Sequence, residues 1–171
     1  MADFDTDFQF LMNNEDRTQS HAIVPDAPPG AFAISGINSA AFPSQFAAIA
    51  AIPQAQRGPA VKNFYHAEFF NKWEAQLSDP VEERILDAMV NEGPMTGVKD
   101  LQNAINSVSG SGTVVVDGGW GPATVAAANA CDQLALVAAI QAVRKARYVA
   151  IVAAHPEDSQ YEAGWLARAA E

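Results

Sequence analysis

Residues 4–16 read FDTDFQFLMNNED. Phe8, Leu11 and Met12 lie four, seven and eight residues beyond Phe4, which puts the four on one face of a helix. The Asn13-Asn14 pair predicts the stop. Glu15 then stands at or just past a helix C-terminus, between an apolar face and whatever follows.

Residues 16–44 follow, and they break the helical pattern. Pro25, Pro28, Pro29, Gly30, Gly36 and Pro43 punctuate them, with short apolar runs at 22–24 and 31–34. This predicts a long loop holding one or two short strands. Helices resume at 42–51. A further helix starts near Pro59 and carries Val61, Tyr65, Phe69 and Trp73 at steps of four. Ser78 or Asp79 is placed to cap a helix with Pro80 at its first position, and Gly93-Pro94 ends it. Val98, Leu101 and Ile105 mark the next helix. The run SGSGTVVVDGGWGP (109–122) predicts a Gly-rich, hairpin-like loop around a short Val114–Val116 strand. Three helical patterns close the chain, at 122–130, 132–153 and 159–169. The fold class is mainly α, with a small irregular or β lobe and a C-terminal helical bundle.

The bulk numbers narrow the function classes. The chain has 171 residues, 49% hydrophobic and 18% charged, which suits a folded core and argues against disorder. A formal net charge of −10 and a pI near 4.6 count against nucleic acid, which selects basic faces. The N-terminus has no basic segment or long apolar run, so a signal peptide is not expected. The apolar run 134–154 is interrupted by Gln141, Arg144, Lys145 and Arg147, so membrane insertion is not expected either. Cys131 is the one cysteine and reads as a buried thiol. His21, His66 and His155 lack zinc-ligand spacing, so neither metal nor cofactor is expected.

Glycoside hydrolysis needs a protonated acid and, in most cases, a second carboxylate. A carboxyl group keeps its proton in apolar surroundings. Glu15 and, in the following loop, Asp26 have the types required. By spacing alone the plainer reading stands: a helix-end carboxylate and a turn former in a Pro-rich loop.

The order of motifs changes that balance. Glu15 and Asp26 are followed by Gly30-Ala31, Ala33 and Gly36-Ile37-Asn38. Tyr65 precedes Phe69-Phe70. Asp87, Val90-Asn91, Gly93-Pro94, Lys99 and Leu101-Gln102 come next, then Asp117-Gly118, Gly121-Pro122 and Thr124, and finally Gly164-Trp165-Leu166 and Arg168. In this order the motifs resemble the N-acetylmuramidases of glycoside hydrolase family 108, with their C-terminal predicted peptidoglycan-binding region. Phage endolysins and secretion-associated muramidases belong to that family. The chain departs from the pattern at Asp16-Arg17, where the family has glycines. It departs again at Ala31 for a glycine, and at Ala33 and Asn38 for threonines.

The resemblance implies a lysozyme-like fold, with a catalytic region at 1–93 and a peptidoglycan-binding-like helical region at 94–171 packed as one globular unit. It implies hydrolysis of the β-1,4 bond between N-acetylmuramic acid and N-acetylglucosamine. Glu15 would be the general acid, and Asp26 the base, nucleophile or electrostatic stabiliser. Asn91, Tyr65, Gln102 and Trp120 are candidate substrate contacts. The implied partner is the peptidoglycan glycan strand, reached after export through a holin or a secretion system. Three alternatives stay open: a lytic transglycosylase using Glu15 alone, a peptidoglycan-binding or structural protein of the same fold without turnover, and an unrelated helical interaction protein.

Overall fold

The structure is a computed structural model that describes residues 3–70 and 76–171. The chain divides into two compact units, one of Phe4–Glu74 and one of Ala75–Glu171 together with Met1–Asp3.

In the first unit, α1 (Phe4–Glu15) buries Asp7, Leu11 and Met12. Glu15 is the last helical residue, as its place after Asn13-Asn14 predicts. Three strands follow: β1 (Ile23–Asp26), β2 (Ala31–Ile34) and β3 (Ile37–Asn38). They form an antiparallel sheet in the order β1-β2-β3, with Asp26 opposite Ala31, Val24 opposite Ala33, and Ala33 opposite Asn38. The segment expected to be mostly loop is thus a small sheet, with one strand more than the pattern predicts. β3 escaped notice because two residues are too few to show alternation.

Next come α2 (Pro43–Ala50) and α3 (Gly58–Tyr65), the latter passing into a wider π-turn at His66–Phe70. Val61, Tyr65 and Phe69 are buried as their spacing predicts. Trp73 lies outside the described residues. Aromatic rings fill this core. Phe64 meets Phe42 and Tyr65 edge-on, with centroids 4.9 and 5.1 Å away, and Phe4 lies 4.8 Å from Phe70.

The second unit holds α4 (Asp79–Glu92), α5 (Pro94–Ser109), α6 (Pro122–Ala130), α7 (Gln133–Ala154) and α8 (Ser159–Arg168). Here α4 packs on α5 and α7, and α8 packs on α7. The domain boundary expected at 93/94 therefore moves to 74/75. Gly93-Pro94 breaks a helix, not a domain, because α4 and α5 bury their apolar faces in one core. Ser78 sits at the N-cap of α4 without a capping bond, and its hydroxyl donates to Gln133 Oε1. Asp132 does cap α7, accepting from the backbone N–H of Ala135 at 2.8 Å.

The strand expected at Val114–Val116 is absent. The amide of Asn106 takes the partner strand's place: its Oδ1 accepts from Val114 N and its Nδ2 donates to Val114 O, both at 2.9 Å. Val115 is left exposed. Among the described residues no single helix is long and apolar enough to cross a membrane.

Candidate functional site

Asp7, Leu11 and Glu15 stand on one stripe of α1, each one turn beyond the last. Asp7 and Leu11 are fully buried. The stripe thus carries the Glu15 side chain inward at the helix end, where it is half-buried. There it meets the β2–β3 turn, Ser35-Gly36. Both turn residues have positive φ, 46° and 80°, as a tight two-residue hairpin requires. A methyl group built on Gly36 would collide with Glu15 Oε2. It would also lie 2.8 Å from Glu15 Cδ and 2.7 Å from the Tyr65 hydroxyl. Glycine therefore does two things here: it allows the left-handed backbone and leaves room for a carboxyl group.

Tyr65 belongs to this arrangement as a support. It is 1% exposed, and its hydroxyl donates to the backbone oxygen of Ser35 at 2.7 Å. A side chain so enclosed holds the turn beneath Glu15 and presents no surface of its own.

Asp16, which stands where the resembled family has glycine, is the clamp of this site. Its carboxylate accepts from His21 N at 2.7 Å, Ser35 Oγ at 2.8 Å, Ser20 N at 3.1 Å and Thr18 Oγ1 at 3.2 Å. Burial pushes its pKa up. The hydrogen bonds from His21, Ser35, Ser20 and Thr18 outweigh that and leave the carboxyl below its ordinary value. His21 Nδ1 lies 2.8 Å from Ser35 Oγ. The His21 carbonyl accepts from the guanidinium of Arg57, itself buried, at 2.8 Å. Gln19, His21 and Ser35 all have positive φ, a strained conformation for residues with side chains, and all three lie around this clamp. None of these partners was legible in the sequence. The signal available was the acidic residue directly after Glu15; the rest depends on contacts up to 36 residues apart.

Asp26 ends β1 and is exposed. Its Oδ2 accepts from Asn38 Nδ2 at 2.7 Å, and the same amide donates to Ala27 O. Asn38 Oδ1 in turn accepts from Ala40 N at 2.7 Å. So Asn38 anchors Asp26 across the sheet. Asn38 is two residues beyond Gly36, about 7 Å along an extended strand. One small sheet thus carries the seat of Glu15 and the anchor of Asp26.

Asn91, Gln102 and Trp120 belong to the other unit. Gln102 is 1% exposed and its amide is fully occupied. Its Nε2 donates to Asp117 Oδ1 and Gly119 O, and its Oε1 accepts from Gly118 N, at 2.9, 3.1 and 2.9 Å. It organises the 117–119 loop. Trp120, next to that loop, has its indole nitrogen buried. Asn91 is exposed at the end of α4, and the Tyr148 hydroxyl, with one proton to give, lies 2.6 Å from its Oδ1 and 2.8 Å from Glu92 Oε1.

Behind Asn91 lies a set of buried charges that sequence reading took for interruptions of an apolar run. Arg144 bonds Asp87 at 2.9 Å and Glu92 at 2.7 Å. Arg168 bonds Asp87 at 2.8 Å. Arg147 grips Asp100 with two nitrogens and lies 3.3 Å from Glu92 Oε2. The signal for this was present: Leu136, Ile140, Arg144 and Tyr148 fall at steps of four, so Arg144 sits on the buried stripe.

Two comparisons bear on what these units are similar to. A search of curated proteins gave no match. Residues 96–170, the greater part of the second unit, match the family model described as Predicted Peptidoglycan domain. A solved structure of Brucella abortus SagA has the same fold, with a TM-score of 0.70 at 20% identity; the match covers 98% of this chain and 89% of that one.

Proposed function

We propose that this chain is a peptidoglycan muramidase in which Glu15 is the general acid. The observation that carries the reading is the seat of Glu15. Its carboxyl group occupies the space above Gly36 that a methyl would need, beside the buried Tyr65 hydroxyl. A proton donor must be held at one place and partly shielded from water. The match at 96–170 supports association with peptidoglycan.

On this reading, Glu15 gives its proton to the oxygen bridging N-acetylmuramic acid and N-acetylglucosamine as that bond breaks. Asp26, oriented by Asn38, activates water or stabilises the oxocarbenium-like sugar. The enzyme reaches the wall after export through a holin or a secretion system.

A second reading is a peptidoglycan-binding protein of this fold without turnover. It is favoured by the family match lying wholly in the unit that lacks Glu15 and Asp26.

Mass spectrometry of muropeptides released from purified cell walls separates the readings. Wild type is expected to release reducing muramic-acid ends, and Glu15→Gln to release them at least ~100-fold more slowly. Anhydro-muropeptides in place of reducing ends indicate a lytic transglycosylase. Equal release by wild type and Glu15→Gln rejects Glu15 as the acid. No release, with both proteins sedimenting with walls, selects the binding reading.

A further inference from the structure

Phe8 and Gln9 of α1, Gln19 and His21 of the loop after it, and Gly58 and Lys62 of α3 line a cavity of about 510 Å³ in the first unit. That volume lies inside the range of small-ligand sites, about 300–1,000 Å³.

One acceptor in this cavity is fixed by the clamp. Ser35 has a single hydroxyl proton and gives it to the Asp16 carboxylate at 2.8 Å. Ser35 Oγ therefore accepts from His21 Nδ1, which is also 2.8 Å away. With Nδ1 carrying the proton, Nε2 of the neutral imidazole holds a bare lone pair. Among the described residues nothing donates to that nitrogen.

Gly58 keeps the approach to it open. Gly58 begins α3 without a left-handed φ, so the backbone does not require glycine there. Space does: a methyl on Gly58 would lie 3.2 Å from His21 Nε2 and cover it. Among the described residues no three of His, Cys, Asp or Glu gather as metal ligands. The lone pair is thus an acceptor for a ligand N–H or O–H.

A cation stands beside it. Lys62 is one turn beyond Gly58, about 6 Å along the same face of α3. Its ammonium has three protons; one goes to Asp5 at 2.5 Å, on a carboxylate whose side chain is 71% exposed and screened by water. The others are left for a second acceptor. An uncharged sugar would leave that ammonium without an anion. Asn63, also on the lining, adds an amide whose C=O and N–H match those of a peptide group. Phe8 and Pro59 give an apolar wall.

We propose that this cavity binds the carboxylate end of a short peptide. The last N–H donates to His21 Nε2, the terminal carboxylate accepts from Lys62 Nζ, and the last side chain packs on Phe8 and Pro59. The proposal rests on the peptidoglycan reading for the source of that peptide: the stem peptides of the wall offer a carboxylate, an N–H and a methyl at their end.

The test uses the full chain carrying Glu15→Gln, so that a sugar control is not consumed. The His21 ring nitrogens are followed by ¹⁵N NMR. The probes are a wall stem tetrapeptide, the same peptide with its C-terminal carboxyl amidated, and tri-N-acetylchitotriose. The free protein is expected to carry its His21 proton on Nδ1. The tetrapeptide is expected to shift Nε2 saturably, with affinity about tenfold above the amidated peptide. Lys62→Gln removes that gap. Gly58→Ala weakens the tetrapeptide about tenfold, with a melting temperature at or above that of the parent. An Nε2–H tautomer, no shift, equal affinity for acid and amide, full affinity in Gly58→Ala, or a shift with the sugar alone overturns the site. Sedimentation with purified walls runs in parallel. Walls bound without a peptide-dependent shift overturn the site and leave the peptidoglycan reading standing. A peptide-dependent shift without wall binding keeps the site and overturns that reading.

Discussion

Gly36 decides where the Glu15 carboxyl group rests. A methyl there collides with Glu15 Oε2 and imposes a side chain on a φ of 80°. On the proposed muramidase reading, Gly36→Ala is expected to lower wall hydrolysis about 100-fold, the usual cost of moving a reacting group by about 1 Å. It also costs about 1–3 kcal/mol of stability through strain. Assays of wall turnover and thermal melts check both, and full activity in this variant would remove Glu15 from the reaction. Asp16 sets the pH response of the same corner. Its folded pKa lies below the ordinary 3.8, because hydrogen bonds outweigh burial. Its contribution is thus complete above about pH 3.8 and is lost as pH falls through the folded value. Asp16→Asn should lower the melting temperature at neutral pH, and the gap to wild type should narrow toward pH 2. A gap unchanged across that range would mean that the Asp16 charge does not hold the loop. Glu15 and Asp26 were legible as acid-bearing positions from residue type and motif order. Asp16 was visible only as a departure, and its role needed the positions of His21 and Ser35.

The helices were the most legible elements, because each buries a face whose spacing repeats every three to four residues. Where a side chain substitutes for a backbone partner, the pattern misled. Val114–Val116 has strand-forming residues, yet Asn106 satisfies Val114 and leaves nothing to pair with Val115. On α7, the buried stripe of Leu136, Ile140, Arg144 and Tyr148 includes a guanidinium that is 2% exposed. Arg144 draws Asp87 and Glu92 of α4 to α7. Burial raises Glu92, the charge of Arg144 opposes this, and the neighbouring carboxyl of Asp100 adds to the rise, leaving Glu92 above its ordinary value. Arg144→Met takes a guanidinium from both buried acids, although Arg168 still holds Asp87 and Arg147 stays near Glu92, and is expected to cost about 3 kcal/mol, read from urea denaturation monitored by Trp fluorescence. A cost under about 1 kcal/mol would mean that the helices pack without this charge set.

At the scale of the whole molecule, the net charge of −10 opposes approach to an anionic wall. Sedimentation with walls should rise between about 20 and 200 mM salt, as repulsion is screened. A steady fall with salt would point to a basic docking face instead. Composition and motif order determined the mainly α class, the order of helices and the acid at the end of α1, because these follow from residue type and local periodicity. The division at 74/75, the third strand, the clamp around Asp16 and the buried charges behind Asn91 were decided by tertiary structure alone. The clamp's bonds from Ser35 and the ion pairs behind Asn91 join groups 19 to 81 residues apart within hydrogen-bond distance. No local pattern encodes such meetings; they arise when packing brings separate elements together and buried polar groups must find partners.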